Sequence, residues 1–451
     1  MTTPIDSGRY GSDRMHGLFR DEYRYRLYVR VEGALAAAQG RHGAIPPEAA
    51  ELISERSRDY RCDLERVSRS EEVTRHELFS VVNEFAEACA PHQRYVHYGA
   101  TSSDILDTAL ALQLSEALDV LEERLRKLLT VLIAAISRNG QHVMIGRTHG
   151  QHAQPVTLGF KLAIWLAQLG RCLRRLNELR GRAVMGKVAG AVGSLAGFGP
   201  HGLEIERDTL IALGLPEPEI CAQAVARDRI AEFMCWAGLT ATCLDNLATE
   251  VRNLQRTEIG EVAETFHEGD QIGSSAMPHK RNPVLSERVC SLARLVRSLI
   301  GPALENVVTW HERDLANSAN ERFTLPEACI LLDEMLITSA SVVENLRAFP
   351  DRMADNLGRS RNAHLSEAVL LRLVNGGMDR LTAYRLIQEA TARAATEKLD
   401  LMTVLAGDRR VSGIVDEHSL TELAAPGADV GRCRELAAVA VEDCQRLLKE
   451  V

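Results

Sequence analysis

Residues 103–140 read SDILDTALALQLSEALDVLEERLRKLLTVLIAAISRNG. Within them Leu114, Leu118, Leu121, Leu125, Leu128 and Leu132 step by four, three, four, three and four residues. That period places every leucine on one stripe of an α-helix and is incompatible with a strand, whose faces alternate every second residue. Ser103 or Asp104 can cap the start, and Asn139-Gly140 stops the pattern. At 1.5 Å per residue such a helix spans roughly 50 Å. Only other long helices can cover a stripe of that length, so the segment predicts a bundle or an oligomer built on one.

The same reading extends outward. Residues 156–182 predict a second long helix. Residues 228–258 predict a third, with Ile230, Phe233, Met234, Ala237, Ala241, Leu244, Leu247, Val251 and Leu254 mostly three or four apart. Residues 284–309 and 326–347 predict two more. Aromatic residues make up only 4% of the chain and no run alternates convincingly, so the fold class expected is all-α. The breaks divide the chain into an N-terminal helical domain (1–105), a central long-helix domain (106–350) and a C-terminal helical domain (351–451). The length of 451 residues suits several subdomains better than one core.

Apolar residues are 45% and charged residues 25% of the chain, a folded composition rather than a disordered one. The net charge of −9 disfavours a general nucleic-acid binder while leaving room for a local basic pocket. No run reaches the length of a membrane span, and the polar first residues lack the apolar core of a secretory signal. Ten scattered cysteines with no C-x-x-C pair argue for a reducing, cytoplasmic setting without a disulfide or metal framework. Only six of the 53 basic residues are lysine (127, 161, 187, 280, 398 and 449), so each lysine stands where arginine is the default.

Four polar segments interrupt the helices: Tyr95–Thr108, Gly146–Thr157, Gly269–Pro283 and Trp310–Pro326. Loops can aim polar groups that helices cannot. In the third, GDQIGSSAMPHKRNP, two serines and a glycine precede Lys280, Arg281 and Asn282. Such a set can bind a carboxylate or phosphate with charge-assisted bonds, although a solvated basic loop would look similar. His149 and His152 are three apart, but no acidic third ligand stands near them, and no cofactor is implied. Gly190–Gly199 lacks the preceding strand of a dinucleotide loop, so its glycines read as easing helix packing or a bend.

The GSSAMPHKRNP run at 273–283 resembles the signature loop of the fumarase/aspartase superfamily, helical homotetramers that eliminate fumarate from succinyl compounds. The resemblance spans nearly the whole chain and is nearest to the adenylosuccinate lyase branch. Arg9-Tyr10 with Met15, Thr74–Glu77 (TRHE), His97–Asp104 (HYGATSSD), Gly146–Pro155 (GRTHGQHAQP), Ser286–Arg294 and Glu312–Arg322 all match that branch's elements. A muconate-type cycloisomerase is disfavoured, since that branch carries Trp where this chain has His149.

The resemblance implies roles by position. Ser274 is the expected general base and His149 the general acid, with Glu287 as the carboxylate that partners the catalytic His. Lys280 and Asn282 are expected to hold the succinyl carboxylates, helped by Ser275. His97, Thr101, Ser102 and Gln223 are expected to contact substrate. Arg9, Tyr10, Arg75, His76, Arg288, Arg313, Ser318 and Arg322 are expected at the nucleotide end. It also implies a homotetramer with active sites shared between subunits. Three departures touch the leaving-group side: Glu77 replaces the usual Asp, Ala224 the usual Thr, and Ala368 an Arg present in some members. The activity expected is therefore elimination of fumarate from adenylosuccinate and from the succinyl-carboxamide ribotide. The alternative is the same elimination on a non-purine substrate, such as nitrosuccinate with release of nitrite. A non-catalytic helical scaffold would be marked by loss of Ser274, His149 or Lys280, and all three are present.

Overall fold

The computed structural model of the chain describes residues 3–266, 276–425 and 429–450. Helices dominate, as expected. The leucine seam lies on a helix of 38 residues, Ser102–Asn139, followed by Leu158–Ala183, Asp228–Leu254, Val284–Ser298 and Ser318–Glu344. The first of these starts before the capping residues expected for it. Asp104 lies inside the first turn and its carboxylate reaches back to the Thr101 N–H at 2.8 Å, half of a capping box.

Prolines account for two further differences. The helix expected over 284–309 breaks after Ser298 and resumes at Ile300–Glu305. Pro302 has no N–H to offer the Ser298 carbonyl, so the ladder cannot run through. Pro326, by contrast, lies inside the Ser318–Glu344 helix, which begins well before the position expected. There the flanking Leu325, Ala328, Cys329 and Leu332 are buried, and their packing outweighs one lost backbone bond.

Residues 143–157 form a β-hairpin that the periodicity did not signal. Val143–Thr148 pairs antiparallel with Gln151–Thr157, with a register shift between Ile145 and Arg147. Gly146 sits at that irregularity, where a Cβ would come within 2.7 Å of the Gln154 carbonyl oxygen. A second pair of short strands joins Val262–Ala263 to Arg347–Ala348.

The chain divides into two compact units. The first comprises Met1–Lys127, Arg171–Asp245 and Arg288–Thr338. Its core includes Leu114, Leu118, Leu121 and Leu125 with Phe233, Met234, Ala237 and Leu244, each at most 2% exposed. Burying each leucine contributes about 2 kcal/mol. The second comprises Leu128–Gly170, Asn246–Glu287 and Ser339–Val451. It buries Leu128, Leu132, Leu162 and Leu166, and holds a separate apolar cluster from Leu365 to Leu423 built by the short C-terminal helices.

Candidate active site

In the first unit, residues 97–104 lead into the long helix and are fixed from below by Asp104. Its carboxylate is fully buried and accepts from the Lys187 ammonium at 2.5 Å, from the Ala189 N–H at 2.8 Å and from the Gly190 N–H at 3.1 Å. Lys187 is itself fully buried, and its backbone is held by Thr108 Oγ1, which donates to the Lys187 carbonyl at 2.7 Å. Gly99 packs against Gly197 so closely that a Cβ on Gly99 would lie 2.5 Å from the Gly197 carbonyl oxygen, and its φ of +74° also demands glycine. Gly197, in the glycine-rich 190–199 stretch, therefore serves a close approach of two backbones.

The same lysine sets a second site residue. Lys187 Nζ donates to the Gln223 carbonyl at 2.6 Å. The Gln223 side chain donates to the Ala191 carbonyl at 2.6 Å and accepts from Arg313 Nη1 at 3.0 Å. Just beyond, Asp107 takes the Val225 N–H at 2.8 Å and both ends of the Arg227 guanidinium, which also reaches Glu321. Gln223 and Arg313 are thus brought together on a scaffold of buried ion pairs.

His76 caps the Glu77–Ala88 helix. Its Nδ1 accepts the Phe79 N–H at 3.2 Å. In the neutral ring the proton therefore lies on Nε2, which faces the Ser102 hydroxyl at 3.3 Å. Ser102 accepts from it and keeps its own proton to donate. Glu77, next in sequence, is buried and shared between the Arg24 and Arg322 guanidiniums, the latter at 2.9 Å. Tyr10 lies under the Arg288 guanidinium, which pairs with Glu334 at 3.1 Å, and Glu334 also accepts the Gly11 N–H. His97 is held differently: its N–H and ring Nδ1 both meet the buried Glu32 carboxylate, the ring at 2.6 Å. Burial alone would lower its pKa, but the charge and hydrogen bond of Glu32 outweigh that and raise it. Arg9 and Arg75 are exposed, the latter with its backbone in the left-handed region at the end of the Leu64–Thr74 helix.

A cavity of about 600 Å³ opens in this unit. Arg313, Ser318 and Arg322 line it together with Arg24, Glu77 and Ala224. Three of the residues expected at the nucleotide end therefore share one wall, and two of the three departures lie beside them. Glu77 is one of these, and its carboxylate is where two guanidiniums meet.

In the second unit, His149 and Gly150 form the two-residue turn of the hairpin, with φ of +55° and +75°. Two positive values are what a type I′ turn requires. The hairpin thus presents the His149 side chain exposed at its tip. Arg147, on the first strand, makes a two-pronged pair with the fully buried Glu261 at 2.8 and 2.9 Å, and Asn356 donates to the same carboxylate. The imidazole of His152 is pushed below its ordinary pKa, first by burial and then by Arg147. Lys280 is exposed and Asn282 half-buried, just ahead of the Val284–Ser298 helix. Glu264 fixes that helix start by accepting the Leu285 and Ser286 N–H groups at 3.1 and 2.6 Å. Glu287 is exposed in the first turn, and no hydrogen bond or ion pair among the described residues joins it to His149. Ser274 and Ser275 lie outside the described residues.

Sequence reading missed Glu32, Arg24, Asp107 and Arg227, because nothing in a linear pattern says which charges will be buried together. For Lys187 there was a signal, its rarity in an arginine-rich chain.

A family model described as Lyase matches residues 8–297, and one described as Adenylosuccinate lyase C-terminus matches residues 362–439. The chain is 43% identical to an adenylosuccinate lyase of Pyrococcus horikoshii over 97% of each chain. It is 40% identical to that of Methanothermobacter thermautotrophicus over 98% of each. Among solved structures it is similar to a fumarate lyase from Mesorhizobium sp. BNC1, with a TM-score of 0.89 and 30% identity over 96% of this chain and 98% of that one. It is also similar to a 3-carboxy-cis,cis-muconate lactonizing enzyme from Pseudomonas putida, with a TM-score of 0.89 and 32% identity over 99% and 100%. Lyases and a lactonizing enzyme thus share this fold, and the C-terminal match and the full-length relatives are what separate them. On those two findings the chain belongs to the adenylosuccinate lyase family.

Proposed function

We propose that this protein cleaves adenylosuccinate to AMP and fumarate, and the succinyl-carboxamide ribotide in the same way. The observation that carries the purine half is the cavity wall of Arg313, Ser318 and Arg322, whose guanidiniums are oriented by Gln223 and Glu77. Two fixed guanidiniums and a hydroxyl suit a phosphorylated leaving group better than nitrite, and family membership does not favour the nitrosuccinate alternative.

The reaction removes a proton from carbon beside a carboxylate and expels nitrogen from the neighbouring carbon. That proton is weakly acidic, so the developing dianion must be neutralised as it forms. Lys280 and Asn282, with Ser275, are proposed to do this. Ser274 would take the proton, which a hydroxyl can do only where cations and backbone N–H groups stabilise its alkoxide. His149 would donate to the departing nitrogen, an imidazole being suited to proton transfer near neutrality. Acid and base must act on opposite faces of the scissile bond in an anti elimination. The exposure of His149 at a hairpin tip, with no pairing to Glu287 among the described residues, supports its entering the site of another subunit of a homotetramer. The three-domain division and a cytoplasmic setting belong to the same reading.

The test is purified protein with adenylosuccinate, followed by ultraviolet absorbance and by chromatography of AMP and fumarate. Turnover with stoichiometric products is expected. No turnover, with nitrosuccinate consumed instead, would overturn the purine reading while keeping the elimination.

A further inference from the structure

The lyase chemistry uses no thiol, yet two of the ten cysteines face each other. Cys172, on the Leu158–Ala183 helix, and Cys243, on the Asp228–Leu254 helix, lie with sulfurs 3.9 Å apart in the first unit, 71 residues apart in sequence. A disulfide needs about 2.0 Å, so each sulfur must move roughly 1 Å. The Cys172 carbonyl accepts the Trp236 indole N–H at 3.0 Å, which pins these two helices together at that level. Cys172 is buried and Cys243 is partly exposed, so a small solute meets Cys243 first.

We propose that Cys172 and Cys243 form a peroxide-oxidisable dithiol, with Cys243 as the attacking sulfur and Cys172 as the resolving one. The Cys243 thiolate attacks one oxygen of a hydroperoxide, the O–O bond breaks, and the product is a sulfenic acid with release of hydroxide. The Cys172 sulfur then gives up its proton and attacks the sulfenic sulfur, expelling hydroxide. The two hydroxides leave as water with the two thiol protons. In sum, two thiols are oxidised to one disulfide and one hydrogen peroxide is reduced to two waters.

The electrostatics divide the roles the same way. The hydrogen bond from Cys172 brings the Cys243 thiol down to about 7, against the opposing effect of burial and with help from Arg171 and Arg175. Cys172 moves up, because it keeps the proton it donates. Burial pushes the thiols of Cys62, Cys89 and Cys221 up to between about 11 and about 12, so they stay protonated near neutral pH and are not the first to attack peroxide.

The experiment treats the native protein with stoichiometric hydrogen peroxide, quenches with an alkylating agent, and maps cross-linked peptides by mass spectrometry. A Cys172–Cys243 peptide should appear before any other pair and vanish on reduction. In Cys172→Ser the link should be lost and Cys243 trapped by dimedone as a sulfenic acid. Cys235→Ser, about two turns away on the same helix, should leave the link intact. Equal oxidation of several cysteines, or no dimedone label on Cys243 in folded Cys172→Ser protein, would overturn the proposal.

Discussion

Lys187→Met should be among the most damaging single substitutions outside the reacting groups. It removes the ammonium from a carboxylate, Asp104, that is fully buried with it. Removing one partner of a buried pair costs about 3–5 kcal/mol, since the other charge stays without its counter-ion. Asp104 would still accept the Thr101, Ala189 and Gly190 N–H groups, which places the loss at the lower end, about 3 kcal/mol. That is roughly a 150-fold shift in the folding equilibrium. Methionine fills a similar volume, so little of the loss would come from a cavity. The assay is urea unfolding followed by circular dichroism at one fixed protomer concentration, because association would contribute to apparent stability. The decisive comparison is the double variant Asp104→Asn with Lys187→Met. With both charges gone, it should recover more than half of the loss. A loss under about 1 kcal/mol in the single variant, or a double variant as unstable as the sum of its singles, would show that the pair does not hold this region together.

Glu77→Ala should release Arg322 and leave Arg24 without its buried carboxylate; KM should rise about tenfold with kcat little changed, as expected for loss of a binding contact worth about 1.5 kcal/mol. The His97–Glu32 pair predicts a sign in pH. The folded pKa of His97 is raised, so its stabilisation is fully present below the unfolded value of roughly 6.5 and is lost as pH rises through the folded value. Stability of the native protein should decline across that interval in calorimetry, and Glu32→Gln should flatten the decline; parallel profiles would count against the pairing. Ser274→Ala should abolish turnover while retaining substrate binding in titration calorimetry, and mixing it with His149→Ala under subunit exchange should restore part of the activity. No recovery despite demonstrated exchange would argue against sites shared between subunits.

The helices were legible because their information is local and repeated. A leucine seam of three- and four-residue steps needs no partner to be recognised, and Leu114 to Leu132 is buried as that seam requires. The hairpin was not legible, since its strands are short, broken by Gly146 and nearly without alternation; pairing across the His149-Gly150 turn makes them strands. The same contrast holds for the site. Sequence alone determined the all-α class and, through long motifs, the residues expected to act. Which of them share a wall, and what steers them, was decided by tertiary structure. Lys187 lies 83 residues from Asp104 and 36 from Gln223, and Glu77 finds Arg24 and Arg322 on other helices. Burial makes those charges seek partners, and no stretch of chain records which partner burial will deliver.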